Sequence, residues 1–139
     1  MRKALGLTVA LAVAIATGAA TRPQNKETGA ASVDAGHELF TAYCASCHGA
    51  SGRGDGPAAD SFKVPPNDLT QLAKKNGGVF VTDRIHRTVD GRGAKAHGSG
   101  DMPVWGDVFR RRHGLEDEAA KARIEAIVRY LRAIQERSS

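Results

Sequence analysis

The clearest periodic pattern lies near the C-terminal end of the chain. Ala120, Ile124, Ile127, Val128, Leu131 and Ile134 recur at helical spacing to near Glu136, with charged positions between them. This predicts an amphipathic helix with one apolar stripe. Glu116, Asp117 and Glu118 stand at its start, where carboxylates complement the positive end of a helix dipole. A second stripe, Leu39, Phe40 and Tyr43, predicts a helix capped by Ser32 or Asp34 and running to about Cys44, with Gly36 one turn before Phe40. Gly49 is placed to stop it.

The middle of the chain is less regular. Ala50 to Pro66 is rich in Gly and Pro, has no period and reads as a surface loop. Asn67 and Asp68 start a short helix through Lys75, with Leu69 and Leu72 on one face and Asn76-Gly77-Gly78 as its end. Thr82 caps another helix to Val89, with Ile85 and Val89 four apart, and Gly91 closes it. A glycine-bearing loop from Arg92 to Asp101 then delivers Met102-Pro103-Val104-Trp105-Gly106. No strand and no internal repeat is predicted, so the fold class is all-α with long loops.

The N-terminus has a different character. Arg2 and Lys3, the apolar run Ala4 to Ala16 and the small residues Thr17-Gly18-Ala19-Ala20 read as an export signal. The expected organisation is a signal peptide over 1–20, a disordered lead-in over 21–32 and one folded domain over 33–137. The periplasm is the expected destination. An uncleaved anchor is the competing reading of the apolar run, which is short and mostly alanine. No later segment resembles a membrane span.

Charge changes this picture little. The formal net charge of the 139 residues is +5, and taking Arg2 and Lys3 from the 20 basic residues leaves 18 against 15 acidic, a net of +3. Basic residues are interleaved with acids and aromatics make up 5% of the chain, which argues against nucleic acid as a partner. The same low aromatic content leaves a domain of this size with a thin core, so a bound apolar group would supply much of the missing buried area. A monomer is expected, meeting membranes only through partner complexes or an uncleaved anchor.

The chemistry concentrates in Cys44-Ala45-Ser46-Cys47-His48. C-x-x-C-H is the spacing of a c-type haem attachment site: one helical turn separates two thiols that add to haem vinyl groups, and the following imidazole reaches the iron. Three other readings stand beside it. A thioredoxin-like redox pair wants its thiolate at a helix N-terminus after a strand. Half a zinc site needs a fourth ligand, and the chain has no further cysteine. A plain disulfide, or a chance match of the spacing, is the third.

Several motifs together resemble class I monohaem cytochromes c. Gly36 and Phe40 match the glycine and aromatic that precede the first haem cysteine in that family, and Ile127 and Tyr130 match the aliphatic and aromatic of its last helix. Cys47-His48-Gly49, Gly54-Asp55-Gly56-Pro57 and Pro66-Asn67-Asp68-Leu69-Thr70 resemble its proximal loop. Asp101-Met102-Pro103-Val104-Trp105-Gly106 resembles its axial-methionine loop. The stretch from Arg110 to Asp117 departs from compact members in being longer and more charged.

The resemblance implies a cytochrome c fold, small helices and long loops wrapped round one haem c held covalently through Cys44 and Cys47. It implies that the first and last helices cross at Gly36. His48 and Met102 would be the axial ligands, Pro57 would orient the imidazole through a loop carbonyl, and Trp105 would wall the haem or donate its indole N–H to a propionate. A lone Met is more often core filler than a ligand, and His97 is the main rival for the iron, ahead of His37, His86 and His113. With both axial positions filled by protein, the expected activity is one-electron transfer between redox protein partners, as a carrier and not an enzyme. The alternatives are an electron-transfer subunit docked permanently to an oxidoreductase, and a ligand-binding or peroxidatic haem protein. Lys63, Lys74, Lys75, Arg92 and Lys95 are expected to rim the cleft and steer an acidic partner.

Overall fold

Two long helices, α1 (Glu27–Tyr43) and α5 (Asp117–Ala133), cross to form the frame of the molecule. In this computed structural model residues 27–93 and 101–136 are described, with side chains from Val33 onward. Between the long helices lie α2 (Ala45–His48), α3 (Thr82–Asp90) and α4 (Trp105–Asp107). Short 3-10 turns cover Ala59–Ser61, Leu69–Gln71 and Lys74–Asn76, and α4 continues as a π-helical turn over Val108–Arg112. Among the described residues there is no strand, so the fold is all-α.

The crossing is possible because Gly36 has no side chain. A β-carbon there would press on the carbonyl of Ala126 and lie 2.9 Å from Tyr130 Cβ, so only glycine lets the two backbones approach this closely. Around this point α1 contributes Phe40, and α5 contributes Ile124, Ile127 and Leu131, all essentially sealed from solvent. Each such side chain contributes about 1.5–3 kcal/mol through burial. Phe109, on the π-helical turn, is equally buried and joins the same core.

Some elements differ from the sequence expectation. Helix α1 begins at Glu27, inside the segment expected to be a disordered lead-in, so Ser32 and Asp34 are interior residues and not caps. Thr28-Gly29-Ala30-Ala31 contains no proline and two alanines, which lets the helix propagate backwards. Thr82 is the first residue of α3 and supplies no cap; Val81 precedes it. The helix expected from Asn67 to Lys75 is instead two 3-10 turns. The Asp68 side chain accepts from Thr70 N at 2.9 Å and from Thr70 Oγ1 at 2.6 Å, which favours a tight turn over a regular helix. The export signal and the first residues of the lead-in lie outside the described residues.

Candidate functional site

Helix α1 hands the chain directly to the cysteine motif. Cys44 N donates to Phe40 O at 2.8 Å as the last bond of α1, and His48 N donates to Cys44 O at 2.9 Å as the first of α2. The motif is thus a single turn of helix, which puts both sulfurs and the imidazole on consecutive sides of one short cylinder. Cys44 is buried and Cys47 half-buried, and both are free thiols. Burial, reinforced by the neighbouring Cys47, pushes the Cys44 thiol up to about 12, so it is not the activated thiolate of a redox pair. No three His, Cys, Asp or Glu side chains converge as a metal-holding group among the described residues.

The segment after the motif folds back on it. Gly54 N donates to His48 O at 2.8 Å, Gly56 N to Cys47 O at 3.2 Å, Ala58 N to Ser46 O at 2.9 Å and Leu69 N to Gly52 O at 2.7 Å. Gly54 has φ +83°, and a β-carbon on it would lie 3.2 Å from the Pro66 carbonyl carbon, so the loop closes against Pro66 and Asn67 only with glycine here. The result is a backbone contact to the imidazole: His48 Nδ1–H donates to the Asn67 carbonyl at 3.2 Å. Nε2 is then the nitrogen with a free lone pair, the arrangement of a ligating histidine. Burial holds the His48 imidazolium below its ordinary range, outweighing the opposite pull of the Asn67 carbonyl, so the ring is neutral at pH 7.

This corrects the expectation for Pro57. Pro57 is exposed and lines neither of the cavities described below; the carbonyl that orients His48 is that of Asn67, ten residues further on. Gly56 and Ala58 instead donate their N–H groups to the backbone carbonyls of Cys47 and Ser46, and the closure of Gly54 against Pro66 brings the Asn67 carbonyl to the imidazole.

Two cavities meet at the motif. The first, about 750 Å³ including its open mouth, has apolar walls from Tyr43, Phe62, Val64, Pro66, Pro103 and Trp105, with Cys47 also at its surface. The second, about 770 Å³, is walled by Phe40, Leu69, Leu72, Ile85, Val89 and Leu131. Cys44, His48, Asn67 and Met102 line both. One thioether and one imidazole therefore share a mostly apolar space with two thiols held a helical turn apart. These are the donor types and the surroundings that a covalently tethered porphyrin requires, so the residues present fit a haem.

The other residues singled out in the sequence are placed as follows. Trp105 is buried and forms a wall of the first cavity, with its ring centroid 5.6 Å from that of Tyr43 and 5.7 Å from that of Phe109. Met102 is half-buried and touches the core as well as both cavities. His37, His86 and His113 line neither cavity: His37 stacks near Tyr130, His113 bonds to the Tyr43 hydroxyl at 3.4 Å, and His86 Nε2 has no hydrogen-bond partner among the described residues. His97 and Lys95 lie outside the described residues.

Arg92 acts as a brace between two elements. Its guanidinium donates to Asp90 Oδ1 at 2.8 Å and to Asp117 Oδ1 at 2.6 Å, tying the end of α3 to the start of α5. Its side chain passes over Gly106, where a β-carbon would stand 2.9 Å from Arg92 Cδ. The hydrogen bonds from Arg92, despite partial burial, hold the Asp90 carboxyl below the usual range.

The family model for cytochrome c matches residues 33–135, most of the chain and all of the elements just described except the first residues of α1. The chain belongs to the cytochrome c family. Membership implies a covalently bound haem c and haem-based electron transfer. Domains of this family are usually exported, and no helix among the described residues is long and apolar enough to cross a membrane. No curated protein and no solved structure matches the cytochrome at a significant level.

Proposed function

We propose that this cytochrome carries single electrons between redox proteins outside the cytoplasm, using one haem tethered through Cys44 and Cys47 and ligated by His48 and Met102. The observation that carries this reading is the sharing of His48 and Met102 between the two cavities that meet at the cysteine motif. The haem, when bound, supplies a one-electron couple. His48 and Met102 would both hold the iron, which would leave no site open for a substrate. Asn67 fixes the imidazole so that Nε2 is the ligating atom. The apolar walls from Phe62, Pro66 and Trp105 would limit water at the centre, and with it the reorganisation that accompanies a change of charge.

The open mouth of the first cavity is the natural place for a partner. Lys63 stands there between Phe62 and Val64 and is exposed, so an acidic redox protein docking over this lip would be steered by it. Lys74 and Lys75 are exposed too, on the 3-10 turn beyond the second cavity.

A potentiometric titration with optical detection tests the carrier reading. A reversible one-electron couple, together with ferrous protein that does not take up carbon monoxide on mixing, is the expected result. Rapid carbon monoxide binding by the wild-type protein would point instead to an open iron and a ligand-binding role.

A further inference from the structure

The C-terminal end of α5 reaches back to the segment that carries the His48 acceptor. After the helix ends, Gln135 places its whole amide against that segment. Its Nε2 donates to Leu69 O at 2.8 Å and to Leu131 O at 2.7 Å, and its Oε1 accepts from Ala73 N at 2.8 Å. Glu136 adds a second set of bonds. Its backbone N donates to Thr70 O at 2.9 Å, its carboxylate accepts from Thr70 Oγ1 at 3.5 Å and from Gln71 Nε2, and Arg53 pairs with it at 3.1 Å. Ile134 closes the same corner, since a β-carbon on Gly52 would lie 3.0 Å from its Cδ1.

These contacts converge on residues 69–73. That stretch has no regular helix of its own; its 3-10 turns satisfy few backbone groups, and Gln135 supplies partners for two of the rest. Asn67 stands two residues before Leu69, and Leu69 N is itself bonded to Gly52 O in the loop that follows His48. The position of the Asn67 carbonyl is therefore set from one side by the glycine loop and from the other by the end of α5.

We infer that Gln135, supported by Glu136, is a positioning residue for the His48 imidazole, acting through the 67–73 segment to hold the Asn67 carbonyl on Nδ1–H. The inference rests on the reading of His48 as an axial ligand. A firm Nδ1–H···O bond makes the imidazole a more basic donor and favours ferric iron, so its loosening raises the reduction potential. Gln135 touches neither cavity, so its effect would not arise from contact with the haem.

The test uses the holoprotein and two variants. Gln135→Met keeps the length and removes all three side-chain hydrogen bonds, while Val128→Ala lowers stability from a buried position on α5 that lines neither cavity. In the ferrous, diamagnetic state, Q135M is expected to exchange the His48 Nδ1 proton about tenfold faster than wild type, because the protecting segment opens more often. Its potential is expected to rise. V128A should lower the melting temperature and move neither quantity. If Q135M melts lower but keeps the wild-type exchange rate and potential, Gln135 is only a helix terminator and the inference is overturned. Should Q135M not accumulate as folded holoprotein, Gln135→Glu is measured the same way. It keeps the acceptor for Ala73 N–H and loses both donors, so faster exchange supports the inference and a wild-type rate overturns it. The ring-current shift of the His48 ring protons separates the two layers of the argument: its absence in wild type would refute ligation itself, whereas its presence with unchanged exchange refutes only the role of Gln135.

Discussion

Gly36 on α1 lies so close to α5 that a β-carbon built on it is 2.9 Å from Tyr130 Cβ. The Ala126 carbonyl is nearer still, and it belongs to a helix backbone that cannot move without disturbing Ile124 and Ile127, both fully buried. Gly36→Ala is therefore expected to destabilise the folded protein by about 2–3 kcal/mol through overpacking, despite the better helix propensity of alanine. The melting temperature should fall by roughly 10–15 °C. A melting temperature within about 2 °C of wild type would mean that the helices can separate without cost.

Acid stability reports on the Asp90–Arg92 brace. The Asp90 carboxyl has a lower pKa folded than its ordinary 3.8, held there first by the hydrogen bond from the Arg92 side chain. Such a group stabilises fully above the unfolded value and loses its contribution as pH falls from there through the folded one. Asp90→Asn should cost about 1–2 kcal/mol at neutral pH. The gap between wild type and variant should close progressively as pH falls below the ordinary carboxylate value in denaturant titrations. A gap that stays constant over that fall would show that the charge of Asp90 plays no part.

Haem attachment is expected to be covalent and necessary for the fold. The two cavities remove a large share of the interior from protein–protein packing, and Phe40 and Leu131 face that space as well as the core. Losing one thioether, in Cys44→Ala or Cys47→Ala, should weaken retention of haem; losing both should leave an unstable chain. Haem stain that survives a denaturing gel is the expected result for wild type. Complete extraction of its haem into acidified organic solvent would contradict the covalent link.

Much of this arrangement is visible in the sequence where a pattern is repeated or a residue type is irreplaceable. The α5 stripe, the Gly36 and Phe40 pair and the C-x-x-C-H turn each follow from side-chain identity at fixed spacing, and the structure brings them together around one corner of the core. What escapes the sequence is carried by the backbone or by single residues. A carbonyl has no signature, so Asn67 could not be told from Pro57 until the turn at Gly54 was known. Phe109 is one apolar residue beside Arg110-Arg111-Arg112, and the charged run hides it; only the π-helical turn carries it inwards. Gln135 looks like the polar end of a helix, yet its amide is matched by three backbone groups. Arg92 looks like a free cation because its partners, Asp90 and Asp117, are joined to it only by the fold.

Met102 sulfur is expected to be the second protein ligand of the iron, beside His48. Met102 lines both cavities as well as touching the core, and it shares the lining of each with His48. The near-infrared absorption of the ferric protein at neutral pH tests this most directly. A low-spin spectrum with the weak sulfur-to-iron charge-transfer band is expected, with loss of that band in Met102→Ala together with a lower reduction potential and uptake of azide or carbon monoxide. A wild-type spectrum lacking the band, with six-coordination lost in His97→Ala and kept in Met102→Ala, would contradict it and assign the position to His97.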